Sequence, residues 1–280
     1  MNRVDLYQGD VYRRILLVQG QTVAFEVKQN GSPEEPRLLV EAWSKTSAGA
    51  LEGELEKTIR HMLGTHVDLT PLYERAEHDA RLLELVRPLR GLKPPRFPTM
   101  FETLANAVAC QQVSLEAGLT LVTRLSQKFG SRVRGVSGFA FSFPSAEKIS
   151  KAAASDIRAL GFSASKAETM ISLARAQLHG ELEYELYEKM GDDEAIRRLD
   201  AFKGIGRWSA EYTLLRGLGR LDIYPGDDVG AAKSVATWLN ADHRLSYEEV
   251  KEVTSNWGPL RGAVYFHFLL RKLKEKGLVN

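Results

Sequence analysis

Two adjacent acids, Asp227 and Asp228, stand between Pro225-Gly226 and a stretch of helical composition, VGAAKSVATWLN. An acid in this position is most simply a helix N-cap. Capping and catalysis are compatible, because a carboxylate at a helix N-terminus is held rigidly in a favourable electrostatic environment. A fixed negative charge stabilises an oxocarbenium-like transition state and can orient an attacking water. A conventional glycosidase would pair such an acid with a proton donor, whereas a single positioned carboxylate suits a leaving group that departs easily.

The residues upstream of the acids, 192–217, read as two helices joined by the tight turn KGIG. The glycines of this turn, Gly204 and Gly206, permit close backbone approach and positive φ. Their N–H groups then lie at the N-terminus of the second helix, where unpaired donors and the helix dipole suit a phosphate. Arg207 at the mouth of the turn and the hydroxyl of Ser209 could add to this site. The alternative is a helical hairpin that only packs.

The second helix of this pair carries an aromatic face. Trp208, Tyr212 and Leu215 are spaced i, i+4 and i+7, so they share one side of the helix. Taken alone, such a face is most simply part of a core. The lining of a binding pocket is the alternative.

The first part of the chain predicts strands followed by a helix. Three segments between residues 11 and 43 are rich in β-branched and aromatic residues and are bounded by turn signals. Asn30-Gly31 is a favoured hairpin dipeptide. Residues 51–64 have helical spacing. The apolar face of this helix would comprise Leu51, Leu55, Ile59, Met62 and Leu63. Residues 87–100 hold four of the ten prolines and predict an ordered connector rather than a helix.

The remainder of the chain is helical in pattern from Phe101 onward. Gly130 is a candidate helix stop, and Ser145 is a candidate N-cap after Pro144. These patterns predict an N-terminal α/β domain over residues 1–88 and a helical domain over 89–280.

Composition excludes several classes of protein. The net charge of +2 and the isoelectric point of about 8.5 allow a polyanionic partner without demanding one. A single cysteine, Cys110, leaves no intrachain disulfide and no cysteine-ligated iron–sulfur cluster. The N-terminus lacks a signal-peptide pattern, and no uninterrupted apolar run reaches about 18 residues. We therefore expect a soluble intracellular protein of the cytoplasm or nucleoid, with no membrane association.

The hairpin and the acids together resemble a known signature. LDAFKGIGRWSAEYTLLRGLG followed by YPGDD is similar to the helix-hairpin-helix and Gly/Pro…Asp (HhH-GPD) signature of the DNA glycosylase superfamily. Within it, the chain most resembles the 3-methyladenine DNA glycosylase II (AlkA-like) family. FETLANAVACQQVS and the segment from FPSAEKIS to LHGEL extend the resemblance to essentially the whole chain. The implied fold is mainly α and two-lobed, with an N-terminal α/β domain built on an antiparallel sheet.

The resemblance assigns catalysis to the second acid. The family's catalytic aspartate matches Asp228, and Asp227 becomes a neighbour that shapes the turn. The hairpin of the family binds DNA phosphate through backbone amides, here those of Gly204 and Gly206, with that of Trp208 as a further candidate. It also resembles hairpins that hold Na⁺ or K⁺ on backbone carbonyls. The matching carbonyls are those of Asp200, Phe202 and Ile205.

The same resemblance implies that the aromatic face lines a pocket for the flipped base. The family lines its pocket with the two aromatics that match Trp208 and Tyr212, and a cationic alkylated purine gains from stacking on such rings. Some members add an aromatic after a Trp-x-Pro motif. This sequence reads WGPLR, so Leu260 occupies that place and the expected pocket is less aromatic.

Base flipping leaves a hole in the duplex that a side chain must fill. In QQVS, Gln112 matches the family's wedge position, with Gln111 and Ser114 beside it. Lys166 fits a second phosphate anchor. Simple solvation is the alternative for each of these polar side chains.

The reaction subtype depends on one position. Bifunctional members carry a lysine where this chain has Trp208, and that lysine forms a Schiff base with the sugar. We therefore expect a monofunctional DNA glycosylase that removes alkylated purines from double-stranded DNA, acting as a monomer without a required cofactor. The alternatives are a bifunctional glycosylase/lyase for oxidised bases and a non-catalytic helix-hairpin-helix DNA-binding protein.

Overall fold

The computed structural model describes residues 4–32, 35–44, 51–133, 138 and 141–277. The strands are β1 Leu6–Gln8, β2 Val11–Val18, β3 Gln21–Asn30 and β4 Arg37–Trp43. The α-helices are α1 Glu52–Leu63, α2 Thr70–Glu77, α3 Ala80–Val86, α4 Met100–Cys110, α5 Leu115–Phe129, α6 Ala146–Ser150, α7 Ala154–Arg158, α8 Ala164–Leu178, α9 Tyr184–Glu188, α10 Asp192–Asp200, α11 Arg207–Thr213, α12 Val229–Leu239, α13 Tyr247–Ser255 and α14 Arg261–Glu275. The predicted class, mainly α with an N-terminal antiparallel sheet, is confirmed.

The sheet is an antiparallel meander in the order β1-β2-β3-β4. It confirms the three predicted strands and adds the short β1. The tightest turn lies at Gln19-Gly20 rather than at Asn30-Gly31, because Gln19 and Gly20 both have positive φ, 48° and 77°, and Val18 pairs directly with Gln21. Asn30 pairs with Arg37, so the predicted hairpin closes through a wider connection.

A buried ion pair joins the sheet to α4. Arg14 of β2 is 2% exposed, and its guanidinium pairs with Asp5 and with Glu102 of α4. Burial raises the pKa of the Glu102 carboxyl to about 7 although Arg14 opposes this shift. The contact fixes α4, whose C-terminal end leads into the Gln111–Ser114 segment.

The predicted helix boundaries at Gly130 and Ser145 are confirmed. Gly130 is the C-cap of α5, and the Ser145 hydroxyl accepts a hydrogen bond from the N–H of Lys148 at the start of α6. The helical pattern that begins at Phe101 is interrupted between α4 and α5. Gln112 has a φ of 55° there, which an α-helix cannot accommodate.

Two compact units are formed by interleaved segments of the chain. The first comprises Met1–Ile59, Thr99–Leu186 and Phe202–Gly204, and the second comprises Arg60–Pro98, Tyr187–Ala201 and Ile205–Asn280. The first contains the sheet and helices α4 to α8. The second contains α10 to α14 together with α2 and α3. The domain boundary expected after residue 88 stays a prediction.

The helical hairpin is present, and its second helix changes geometry. α10 ends at Asp200, α11 begins at Arg207, and residues Leu214–Leu218 continue α11 as a π-helical turn. The N–H of Gly219 closes that turn on the carbonyl of Leu214. Turns of this kind are frequent near functional sites.

The described part of the chain contains no helix that is both long enough and apolar enough to span a bilayer.

His267 of α14 gives a prediction about acid stability. It is 1% exposed, and within the described residues neither ring nitrogen has a hydrogen-bond partner. Burial lowers the pKa of the imidazole from 6.5 to about 4, so its contribution to stability is present above pH 6.5 and is lost as the pH falls toward 4. We expect His267→Leu to gain about 1 to 3 kcal/mol of unfolding free energy in urea at pH 5.

His243 provides a control of opposite sign. It is exposed, and its neighbours Asp242 and Glu249 raise its pKa, so its contribution is present at low pH and is lost as the pH rises. We expect His243→Gln to lose rather than gain stability at pH 5. A pH dependence of His267→Leu identical to that of the parent protein would contradict the assignment.

Candidate active site

Asp228 is held by donors on both of its oxygens. It is the N-cap of α12, and its Oδ1 accepts a hydrogen bond of 2.8 Å from the N–H of Ala231. Its Oδ2 accepts from Trp208 Nε1 at 3.1 Å and from the Tyr265 hydroxyl at 3.0 Å. Three donors complement a negative charge and fix the carboxylate in one orientation. Asp227, in contrast, is exposed.

The tyrosine that contacts Asp228 is part of a buried aromatic group. The ring of Tyr265 packs edge-on against Tyr224, with centroids 5.5 Å apart at 85°. Burial, reinforced by the Asp228 carboxylate, raises the pKa of both hydroxyls above the usual range. Tyr265 therefore stays protonated and acts as a permanent donor to Asp228.

The predicted aromatic pair stands beside this carboxylate. The rings of Trp208 and Tyr212 have centroids 5.4 Å apart and planes tilted by 30°. Both side chains are only half-buried, which leaves ring surface for a ligand, whereas Leu215 of the same predicted face is fully buried. The structure thus brings Trp208, Tyr212 and Asp228 together and places Leu215 in the core.

Arg216, in the π-helical turn, contacts the ring and the hydroxyl of Tyr212. Its Nη1 donates to the Tyr212 hydroxyl at 3.3 Å, and its Nε donates to the carbonyl of Pro95 at 2.6 Å. The guanidinium also lies 4.7 Å from the centroid of Phe97 and 5.0 Å from that of Phe266. The ring of Tyr212 is therefore contacted by the guanidinium of Arg216, and part of its surface is exposed.

The two glycines of the hairpin turn have different backbone geometry. Gly204 has a φ of 87°, and a Cβ there would lie 2.2 Å from Thr169 Oγ1, so this position requires glycine. Gly206 has a φ of −114° with open space around it, and it is the N-cap of α11. The positive φ that both glycines permit is adopted by Gly204 and not by Gly206.

The other polar residues predicted for the hairpin differ in accessibility. Arg207 is exposed, and its guanidinium lies 4.5 Å from the ring centroid of Tyr247. Ser209 is 1% exposed, since it lies on the inner side of α11. Its hydroxyl is consequently not on the surface, and this placement does not support the predicted DNA contact.

The Gln111–Ser114 segment is anchored to the hairpin turn within the first unit. Gln111 Nε2 donates to the carbonyl of Gly204 at 2.9 Å. Gln112 is exposed, and its positive φ holds it in a conformation that non-glycine residues adopt rarely. The Ser114 hydroxyl accepts from the N–H of Ala117 and caps α5. Gln112 thus lies exposed on an anchored loop, and its role as a wedge stays a prediction.

Lys166 has internal partners in the structure. Its Nζ donates to the carbonyl of Gln111 at 2.7 Å and to that of Ala109 at 3.3 Å. Burial lowers the pKa of this amine. The contacts cap the end of α4, so they explain Lys166 as a support of the loop, and its predicted role as a phosphate anchor stays a prediction.

Sequence reasoning missed Tyr265, which contacts Asp228, and Lys272, which lies near Gly230. Tyr265 lies in the aromatic stretch VYFHF, which signals a buried helix but not a contact with the acid. Lys272 lies near Gly230, where a Cβ would be 3.5 Å from Lys272 Nζ and 3.2 Å from Asp228 Oδ1. Leu260 is half-buried at the start of α14, and its place in the pocket stays a prediction.

No group of three or more His, Cys, Asp or Glu side chains suited to a metal ion occurs among the described residues. The described groups that stand together at the site are one fixed carboxylate, two aromatic rings and a tyrosine donor.

Comparison with known proteins identifies the family. Residues 105–259 match the sequence profile of the HhH-GPD superfamily base excision DNA repair proteins, and this match spans the hairpin, Asp228 and more than half of the chain. The chain belongs to this superfamily. Its HhH-GPD hairpin is the α10–α11 pair, and its Gly/Pro…Asp segment is the turn that carries Asp228.

Individual members of the HhH-GPD superfamily are similar along most of the chain. The DNA-3-methyladenine glycosylase of Bacillus subtilis is 30% identical over 218 residues, 78% of this chain and 70% of the relative. The structure of 3-methyladenine DNA glycosylase from Archaeoglobus fulgidus superposes with a TM-score of 0.82 at 27% identity, over 96% of this chain and 90% of that one. The Schizosaccharomyces pombe 3-methyladenine DNA glycosylase, crystallised with abasic DNA, gives a TM-score of 0.62 at 27% identity, over 72% and 97%.

Proposed function

We propose that the protein is a monofunctional DNA N-glycosylase that flips and excises alkylated purines of the 3-methyladenine type from duplex DNA. It hydrolyses the N-glycosidic bond and so starts base excision repair. The observation that carries the proposal is the Asp228 carboxylate, held by Trp208 and Tyr265 beside an accessible aromatic pair. The 3-methyladenine glycosylases similar to this chain support the same substrate class.

The site geometry suits a dissociative hydrolysis. The bond from the sugar C1′ to the purine nitrogen breaks, and its electron pair leaves with the base, so a cationic alkylpurine departs as a neutral molecule. The positive charge left on the sugar faces the Asp228 carboxylate, which stabilises it. Water adds to C1′ and releases a proton, which leaves an abasic site in the strand.

The donors around Asp228 favour an electrostatic role over a nucleophilic one. Both oxygens already accept hydrogen bonds, from Ala231, Trp208 and Tyr265. A carboxylate so constrained keeps its charge in place during the reaction and undergoes little reorganisation, which is the arrangement that electrostatic catalysis requires.

Particular residues argue against the two alternative functions, a bifunctional glycosylase/lyase and a non-catalytic DNA-binding protein. A lyase needs an amine for a Schiff base, and the matching position holds Trp208, whose indole N–H is bonded to Asp228. Lys203 of the turn is exposed and lies 3.7 Å from Glu168. A protein that only binds DNA has no use for a carboxylate fixed beside two half-exposed rings.

We further propose that the protein is monomeric and intracellular and that it requires no cofactor. A cation on the hairpin carbonyls stays a prediction of the resemblance.

Base release from a panel of duplexes tests the proposal. The panel contains 3-methyladenine, 7-methylguanine, 1,N6-ethenoadenine, hypoxanthine and uracil, and borohydride trapping on the same duplexes detects any Schiff base. We expect release of alkylated purines with no trapped complex. A trapped complex would establish the lyase alternative, and DNA binding without release from any duplex would establish the non-catalytic one.

Conservative changes in the aromatic pair should alter the substrate range. Trp208→Phe and Tyr212→Phe keep ring volume, so folding should be nearly intact, but stacking and the donor to Asp228 change. We expect release of neutral hypoxanthine to fall about tenfold more than release of 3-methyladenine, whose positive charge already weakens its glycosidic bond. Rates on both duplexes are compared at a temperature where the variants are folded. Unchanged preference in both variants would place these rings in the core instead.

A further inference from the structure

A buried carboxyl group lies on α11 three residues after Trp208, so it adjoins the aromatic pair on the helix. Glu211 is 3% exposed. Its Oε1 accepts a hydrogen bond of 2.6 Å from the Tyr247 hydroxyl, and its Oε2 is buried without a hydrogen-bond partner in the described part of the chain. A carboxyl group so poorly satisfied is unfavourable in a core, where an apolar side chain of similar volume would serve better.

The partner of Glu211 packs directly on the acid-bearing turn. A Cβ on Gly226 would lie 2.8 Å and 2.9 Å from two ring carbons of Tyr247, so only glycine allows this approach. The backbone N–H of Gly226 favours the charged form of the Glu211 carboxyl group and so opposes the rise in its pKa. Gly226 lies two residues before Asp228, whose own N–H donates to the carbonyl of Pro225 at 3.1 Å.

These contacts form a clamp, defined here as Glu211, Tyr247 and Gly226. It joins α11, which carries the aromatic pair, and α13, which begins at Tyr247, to the turn that ends in Asp228. Displacement of the turn would move the Asp228 carboxylate relative to the rings of Trp208 and Tyr212.

We propose that Glu211 is a positioning residue for base release, which acts through Tyr247 and Gly226 to set the place of the Asp228 carboxylate. The proposal rests on the glycosylase function proposed above and adds a residue to its machinery. Electrostatic stabilisation depends steeply on the position of the charge, so a small displacement is sufficient to slow the chemical step. Substrate affinity comes from other contacts and should not change.

The surroundings of Glu211 also predict a pH dependence. The charged and titratable groups that act on it are Tyr247, Asp227 and Arg207. Burial, with a further contribution from Asp227, raises the pKa of the Glu211 carboxyl to about 7. Below this pH the group is neutral. Above it, the carboxylate binds the Tyr247 hydroxyl more strongly and attracts the Gly226 N–H, so the clamp tightens as the pH rises.

Single-turnover release of 3-methyladenine tests the proposal, with the DNA dissociation constant measured in parallel. We expect Tyr247→Phe, which removes only the hydroxyl, and Glu211→Leu, which replaces the carboxyl by an apolar group, each to slow release about tenfold at pH 8 with unchanged DNA affinity. The double variant should be no slower than either single one, because both remove the same hydrogen bond. Glu248→Gln, an exposed acid beside Tyr247, is the matched control and should behave as the parent protein.

Glu211→Gln separates positioning from folding. Its amide oxygen still accepts from Tyr247, so the rate should be close to that of the parent protein at pH 6, while the rate increase of the parent through about pH 7 should be absent. Release at the parent rate by Tyr247→Phe would overturn the proposal, as would a loss in Glu211→Leu that matches its loss of folded protein. If the parent protein releases no base from any duplex, the proposed glycosylase function is wrong. This result differs from the two outcomes for Tyr247→Phe and Glu211→Leu, which concern only the role of Glu211.

Discussion

Asp228→Asn should release 3-methyladenine at least about a hundredfold more slowly than the parent protein and still bind DNA. The amide keeps the capping oxygen but loses the negative charge, and it presents an N–H₂ group to the donors of Trp208 or Tyr265. The transition state is thereby destabilised, while the hairpin that we expect to supply affinity is unchanged. Single-turnover rates and DNA titrations on the same duplex check both halves of the expectation.

The neighbouring acid supplies the control for this experiment. Asp227 is exposed and lies one residue from Asp228 in the same turn, so Asp227→Asn makes an equal change in net charge. It should retain most of the activity. An inactive Asp227→Asn beside an active Asp228→Asn would reverse the assignment of the pair.

Gly204→Ala should both destabilise the protein and weaken DNA binding. The φ of 87° is unfavourable for alanine, and the added methyl group would lie 2.2 Å from Thr169 Oγ1. Together these effects should lower the free energy of unfolding by about 3 kcal/mol or more. The turn that precedes α11 must then shift, and the backbone donors expected to bind phosphate shift with it. Urea unfolding and DNA titration measure the two effects.

Gly206→Ala is the matched substitution two residues away. Its φ of −114° suits any residue and nothing lies within 4 Å of the added methyl group, so stability should change by less than about 1 kcal/mol. Equal damage from both substitutions would show that the turn does not depend on the conformation of Gly204.

Local patterns predicted the elements of the fold because they depend on near neighbours in sequence. The strands β2 to β4, the caps at Gly130 and Ser145 and the helices on both sides of the Gly204 turn were all predicted in this way. The positive φ of Gln19 was not predicted, since glutamine rarely adopts this conformation.

The candidate site was predictable only in part, because its contacts join distant segments. Asp228 and the aromatic pair lie within a short stretch with a recognised signature, whereas Tyr265 is brought to Asp228 by the packing of α14. Glu211 reads as one more polar residue of α11 until its burial is known. Lys166 has a long flexible side chain, so sequence alone could not distinguish a group facing solvent from one bound to backbone carbonyls.

The π-helical turn Leu214–Leu218 affects how residues are counted between the hairpin and the acids. Its closing hydrogen bond spans five residues rather than four, so the turn contains one residue more than an α-helix would. In a homologous chain whose α-helix is uninterrupted, the residue that follows the helix at the same place in the fold would be one position closer in sequence to the residue matching Tyr212. If that shorter spacing is applied to this chain, the position of Asp228 in the alignment is taken by Asp227. Alignments that assume a constant spacing from Tyr212 would therefore match Asp227 rather than Asp228, the acid that accepts the hydrogen bonds of Trp208 and Tyr265.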